Sequence, residues 1–311
     1  MNGKVLVAGS ANLDYVVRAT RIPRPGETVL GREFRTFPGG KGANQAVAAA
    51  RAGGADVRML LALGDDAAAD VLECSLQEAG VALDVRRQPQ LPTGVAFICI
   101  SEEAENAITV APGANDALRP GDLPDLDGVG HLLLQLETPL DTVLAFAERA
   151  RAAGTAVVLN AAPARALPER LLAAVDVLVV NEGELAMLAG PAGTPADALR
   201  RLPVARVVAT LGDAGCVARD GERFHLQPAF AVEAVDTTAA GDTFCGALVA
   251  ALARGEPLPA ALREASAASA LACTALGAQS SIPPREAVRA LLQARDDAPA
   301  ARAALAARCG L

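Results

Sequence analysis

Two short stretches of this chain combine residue types and spacings that could do chemistry. The first is Asp236-Thr237-Thr238-Ala239-Ala240-Gly241-Asp242-Thr243-Phe244-Cys245. It runs into the apolar segment 244–252, which reads as a buried helix. Ala239, Ala240 and Gly241 should then form a tight turn opening that helix. Small side chains there let the first free N–H groups approach a ligand, and the positive end of the helix favours phosphate or developing negative charge. A carboxylate at Asp242 beside such an anion site has two chemical uses, as a base or as a group facing a metal. A capping Asp after a loop would look the same in isolation.

The second stretch is Pro38-Gly39-Gly40-Lys41-Gly42-Ala43-Asn44-Gln45, followed by a helical run from Ala46 to Ala52. Its glycines allow close backbone approach to a ligand, and Lys41 and Asn44 supply donors at a helix start. Lys41 is one of only two lysines and Asn44 one of only seven asparagines, so chance is a weaker explanation for their position. The spacing is not that of a Walker A loop.

These stretches need a scaffold, and the chain provides an alternation of short apolar runs and helical patterns. Strands are expected at 4–9, 57–63, 131–136, 156–159, 176–180 and 205–210. Helices are expected at 67–79, 139–153, 257–275 and 284–292. The alternation predicts a doubly wound, mostly parallel α/β sheet with helices on both faces. Two β excursions, at about 13–36 and 94–111, are out of character with it and should pair as a small lid over the strand ends. The turn between the strands of the second is the acidic run 102–106. The whole chain, 1–311, is expected to form a single domain. Asn12, Asp14, Glu137, Asn160, Asn181, Glu184 and Gly212 fall at strand carboxyl ends, where open α/β sheets collect ligand groups. The Ala/Arg-rich tail from Asp296 carries no chemical signal and reads as a peripheral helix or frayed end.

Composition narrows the function classes. With 311 residues and 52% hydrophobic content the chain can bury a large core. A net charge of -8 argues against nucleic acid or an anionic membrane as partner, so any phosphate site must be local. No secretory signal or membrane-length apolar run is visible, and the expected location is the cytoplasm. The six scattered cysteines form no C-x-x-C pair and read as free core thiols, and His131 and His225 read as structural.

Together these residues resemble the ribokinase (pfkB-type) family of carbohydrate kinases. Both stretches match family signatures. Further matches are 9–14, 25–28, 135–137, 160–165, 181–184, 210–212 and 277–279, so the likeness spans about residues 4–292. The resemblance implies ATP-dependent phosphorylation of D-ribose at O5, with a related pentose or nucleoside such as 2-deoxyribose as the alternative acceptor. A non-catalytic sugar-binding regulator on the same scaffold would predict loss of Asp242 or of the anion-hole turn, and both are intact.

By the same likeness, Asp242 is the general base and the amides of Ala239, Ala240 and Gly241 form the anion hole. Asn12, Asp14, Gly40, Lys41, Asn44 and Glu137 hold the sugar. Asn181 and Glu184 serve the ATP phosphates and Mg2+, while Thr210, Leu211 and Gly212 line the nucleotide site. Asp236, with Thr238, Ala272, Ala275, Gly277 and Ser281, would bind K+. A homodimer through the lid is implied as well. Ser266 stands where relatives often carry His or Asn near the adenine, and Ala275-Leu276 replaces a basic pair found in some of them.

Overall fold

The central strands are apolar at most positions, which requires a sheet covered on both faces. In β1 (Lys4–Ala8), Val5 and Val7 enter one core while Leu6 and Ala8 enter the other. The structure is a computed structural model and describes residues 3–103, 105–295 and 299–311. After β1 come β2 (Asn12–Ala19), β3 (Gly31–Gly39), α1 (Lys41–Arg51), β4 (Val57–Leu63), α2 (Ala67–Glu78), β5 (Ala82–Arg87), β6 (Gly94–Ile100) and β7 (Asn106–Ala111). The chain continues through β8 (Val129–Leu134), α3 (Leu140–Ala152), β9 (Ala156–Asn160), α4 (Glu169–Ala173), β10 (Val177–Asn181), α5 (Glu182–Ala189) and α6 (Pro195–Arg201). It ends with β11 (Arg206–Thr210), β12 (Gly215–Asp220), β13 (Arg223–Pro228), α7 (Ala240–Ala253), α8 (Leu258–Ala272), α9 (Arg285–Ala294) and α10 (Pro299–Cys309).

The large sheet has the order β13-β12-β11-β10-β9-β8-β1-β4-β5, parallel from β11 to β5 and antiparallel at β12 and β13. Helices α1, α2, α7, α8 and α9 cover one face, through residues such as Leu72, Leu248, Leu262 and Val288. Helices α3 to α6 and α10 cover the other, through Phe146, Leu171, Leu185, Leu199 and Leu305. A second sheet, β3-β2-β6-β7, is the lid expected from the two β excursions, with β2 and β6 pairing in parallel.

One close helix contact bears directly on the site. A Cβ on Gly246 of α7 would lie 2.5 Å from both the Ala48 side chain and the Gln45 carbonyl of α1. Only glycine allows the two helices this approach, and it sets their amino-terminal ends side by side.

Several sequence expectations shift on inspection. The strand expected at 131–136 is Val129–Leu134, because the Leu136 N–H leaves the ladder to bond the Ala162 carbonyl. The helix expected at 257–275 stops at Ala272, where the carbonyl of the next residue, Cys273, accepts the N–H groups of Val235 and Asp236. Strands β5, β12 and β13 and the short helices α4 and α6 lie outside the sequence expectations; none of them shows a clean period of buried residues. Only Cys216, Cys245 and Cys309 are core thiols; Cys74 is exposed and Cys99 and Cys273 are partly so. Residue 104 of the acidic turn and residues 296–298 of the tail lie outside the described residues. The tail beyond them is helix α10, held by buried Leu305 and Cys309. Among the described residues no helix is long and apolar enough to cross a membrane.

Candidate active site

From β1 the chain winds outward through β4 and β5, then returns to the other side of β1 and winds the opposite way through β8, β9, β10 and β11. The reversal between β1 and β8 opens a crevice beyond their carboxyl ends. Asn12 and Asp14 follow β1, and Gln135 and Glu137 follow β8. The amino-terminal ends of α1 and α7 face the same crevice through Lys41, Asn44, Gln45 and Asp242.

Asp242 is the third residue of α7 and is buried. It does not cap its own helix. The N-cap is Ala239, the one non-glycine residue at positive φ (57°) among the described residues. An alanine held there is disfavoured by about 1–2 kcal/mol. Instead, both Asp242 oxygens accept amide N–H groups from α1. Asn44 Nδ2 lies 3.0 Å from Oδ2 and Gln45 Nε2 lies 2.9 Å from Oδ1. The Ala240 N–H is turned back to the Thr237 carbonyl at 3.2 Å, and the i→i−4 ladder begins at Thr243, which bonds Ala239. The helix-start amides of Gly241 and Asp242 are therefore better placed for an anion than that of Ala240.

On one side of Asp242 lies a group of buried polar side chains. Asn12 Oδ1 accepts Asn115 Nδ2 at 2.8 Å, which turns the Asn12 amide nitrogen the other way. Asn115 is itself anchored on the Ala11 N–H and carbonyl, at 3.0 and 3.2 Å. Glu137 Oε2 accepts the Ser10 hydroxyl at 2.6 Å and the Lys41 N–H at 3.1 Å. Gly40, at φ 88°, lies so close to the Ala11–Asn12 backbone that a Cβ would come within 2.7 Å of Asn12 N. Gly39 is under the Asp14 carboxylate, and a Cβ there would meet Oδ2 at 2.2 Å.

Charge in this group is unbalanced. Burial, and then the nearby Glu137 and Asp242 carboxylates, push the Asp14 carboxyl from 3.8 up to about 7. The Asp242 carboxylate holds the Lys41 ammonium above its ordinary value against the opposing effect of burial, with Glu137 and Glu184 adding to it. A cavity of about 280 Å³ runs from Asp14 along the underside of the lid (Val16, Arg18, Ile98, Ile100) to Asp236 and Gly277.

On the other side of Asp242 two spaces share Thr210 and Gly241 as a wall. The smaller, about 150 Å³, is lined by Lys41, Asn160, Asn181, Glu184 and Asp242. The larger, about 490 Å³, is lined by Gly212, Phe230, Val232, Phe244, Ser266 and Ala270. Asn181 and Glu184 form a reciprocal capping box at the start of α5, with both bonds at 2.8 Å. Burial raises the Glu184 carboxyl, and its second oxygen is not used by the cap. Leu211 is buried, and its neighbours Thr210 and Gly212 line the larger space. The Ser266 hydroxyl lies 3.8 Å from Cys216 Sγ.

The predicted cation residues also come together in part. Asp236 Oδ1 accepts the Thr238 N–H (2.9 Å) and hydroxyl (2.6 Å), and Oδ2 accepts the Gly277 N–H (2.9 Å). Burial alone would raise the Asp236 carboxyl, but these bonds hold it below the usual range. Ser281 is buried and donates to the Ala278 carbonyl at 2.9 Å, and the Ala272 carbonyl accepts the Ala275 N–H at 3.4 Å. Among the described residues no three His, Cys, Asp or Glu side chains cluster as a metal site. A donor set of one carboxylate, hydroxyls and backbone carbonyls suits a hard, weakly bound cation.

Sequence reasoning did not single out Gln45, Gln135 or Asn115 as site residues. Gln45 and Gln135 sit inside matched stretches, yet a glutamine there has no obvious chemistry until Asp242 is placed beside it. Asn115 lies in a short 3-10 helix, Gly113–Ala117, with no motif.

The chain matches the model of the pfkB family carbohydrate kinases over residues 2–285. It is 40% identical over 293 residues to the ribokinase of Bacillus subtilis, covering 93% of this chain and 99% of that one. The crystal structure of ribokinase from Thermotoga maritima superposes with a TM-score of 0.87 at 38% identity, covering 94% of this chain and 99% of that one. The structure of Arabidopsis thaliana ribokinase complexed with ribose and ATP gives 0.88 at 34%, with the same coverage. The chain belongs to the pfkB family of carbohydrate kinases. Within that family, these three relatives are all ribokinases.

Proposed function

We propose that the protein transfers the γ-phosphoryl group of ATP to O5 of D-ribose, giving D-ribose 5-phosphate and ADP. The observation that carries this reading is the Asp242 carboxylate, held by two amides at the junction of a buried polar pocket and an apolar, nucleotide-sized space. The ribose- and ATP-bound relative and the curated ribokinases support the choice of sugar and donor.

In this reading ribose lies under the lid. Asn12, Asp14, Lys41, Asn44 and Glu137 contact its hydroxyls, and Gly40 leaves room for it. Asp242 takes the Asn44 Nδ2, and the buried Asn44 Oδ1 has no partner among the described residues. Asp242 takes the proton from the O5 hydroxyl as the new O–P bond forms and the bond from the γ-phosphorus to the β–γ bridging oxygen breaks. A positioned base of this kind contributes about 10²–10⁴-fold. The amides at Ala239, Ala240 and Gly241 receive the charge of the transferring group, with Gly241 the most open of the three.

Thr210, Leu211, Gly212 and Ser266 border the nucleotide, and Phe230 and Phe244 give it an apolar wall. Asn181 and Glu184 would hold Mg2+, partly through water, which neutralises charge on the ATP phosphates when bound. Asp236, Thr238 and Ser281, with carbonyls of Ala272, Ala275 and Gly277, would hold K+, which braces the anion-hole turn when bound. The lid face turned away from the cavity stacks Tyr15 between Phe34 and Phe97, with those two rings 63% and 54% exposed. A second copy of the chain covering this face would give a homodimer.

The test is a coupled assay of ADP release with ribose, 2-deoxyribose, fructose and nucleosides, each in potassium and in sodium. The expected outcome is the highest kcat/KM for ribose and higher activity in potassium. Turnover of another acceptor above ribose would overturn the assignment.

A further inference from the structure

A chain of buried carboxamides leads away from Asp242. Gln45 Nε2 donates to Asp242 Oδ1 at 2.9 Å and also to Asn160 Oδ1 at 3.0 Å. Gln45 Oε1 accepts Gln135 Nε2 at 2.8 Å. Gln45 and Gln135 are 0% and 1% exposed.

The direction of each bond is forced. An ionised carboxylate only accepts, so the Gln45 amide must turn its nitrogen toward Asp242. Its oxygen then faces Gln135, which must answer with its own nitrogen. This leaves Gln135 Oε1 buried without a partner among the described residues. A buried acceptor without a donor is destabilising, since it has lost its water and gained nothing in return. The fold also makes room for it: a Cβ on Gly9 would lie 2.0 Å from that oxygen. A glutamine serving only as filler would not require a glycine cut away beneath it and an unsatisfied oxygen above it.

We infer that Gln135 and Gln45 act in series as positioning residues, Gln135 fixing the Gln45 amide so that Gln45 fixes the Asp242 carboxylate against the acceptor hydroxyl. This rests on Asp242 being the base. A Gln45 amide turned over would present its oxygen to the Asp242 carboxylate and its nitrogen to the Gln135 nitrogen. The donor from Gln135 makes that arrangement unfavourable, because both ends of the amide would then be mismatched. Asn44 holds the second carboxylate oxygen independently, so the pair of contacts fixes the plane of the group as well as its position.

The test uses Gln45→Met, Gln135→Met and the double variant in the full-length protein. Methionine keeps side-chain length and volume and removes the amide, a change that packing alone tolerates well. The positioning role predicts a kcat lower by about 10–100-fold in Gln45→Met, in line with the cost of small misplacements at a reacting centre. Gln135→Met should fall less, and both should keep the parent KM for ATP. Since the residues act in series, the double variant should lose no more than Gln45→Met.

Gln45→Met within twofold of the parent, or a double variant whose loss is the product of the two single losses, would overturn the inference. Should Gln45→Met not fold, a folded Gln135→Met with unchanged kcat overturns it equally. Asp242→Asn, measured alongside, keeps the two questions apart: near-full kcat there removes Asp242 as the base, whatever the glutamines do.

Discussion

On the side of Asp242 proposed for the sugar, the wall is made of polar side chains that hold one another; on the side proposed for the nucleotide, the larger of the two spaces is walled by backbone and mostly apolar surface. Asn12, Asn44, Gln45, Gln135 and Asn115 are all buried, and each is fixed by a bond to another part of the chain. Across Asp242, Gly212, Phe230, Val232 and Ala270 line a larger space in which Ser266 contributes a hydroxyl resting near a thiol. The difference suits the two ligands. A small polyol is distinguished only by where its hydroxyls lie, which demands fixed donors and acceptors. A nucleobase offers a flat apolar face that many surfaces can accept. A replacement on the nucleotide side, such as serine at position 266, should therefore matter less than any change across the cleft.

The contrast can be broken by substitution, and the largest expected effect is at the junction. Asp242→Asn should lower kcat by about 10²–10⁴-fold, measured by steady-state ADP release at saturating sugar and ATP. On the sugar side, Gly39→Ala places a methyl where the Asp14 carboxylate rests and should displace that side chain without disturbing the fold. KM for the sugar should rise about 10–100-fold while KM for ATP stays constant. Equal changes in both KM values would mean that the two sides are not independent.

Asp14→Asn should separate stability from activity. The Asp14 carboxyl is raised from 3.8 to about 7, so between these values the folded protein holds a proton that the unfolded chain has released. That contribution to stability is full below about pH 4, falls as pH rises, and is lost above about pH 7. The penalty above pH 7 is up to about 4 kcal/mol. The asparagine variant should therefore melt several degrees higher than the parent at pH 8, with the gap closing toward pH 4, and should turn over sugar poorly. A gap that does not narrow toward acid would place the charge strain elsewhere. The smallest effect is expected from Ser266→Ala, which should change KM for ATP by less than about threefold and leave the sugar KM alone.

Much of this site could be read from residue order, for physical reasons that operate locally. Buried parallel strands write themselves as apolar runs, so β1, β4 and β10 stand out. Glycine-rich turns before helices mark anion sites because they depend on adjacent residues. The antiparallel strands β12 and β13 were not legible, since neither gives a clean alternation of buried and exposed residues. Asn115 was invisible because its role depends on a contact with Ala11, 104 residues away in the chain.

By itself, then, the sequence determined the doubly wound sheet, the lid and the two ligand-facing turns. Tertiary structure decided how those turns meet. Gly246 brings α7 against α1, and only then do Asn44 and Gln45 reach the carboxylate almost two hundred residues away and make Asp242 a held group instead of a cap. The reason is range: backbone propensity and hydrophobic period act over a few residues. A buried carboxylate's partners are chosen by packing between distant helices.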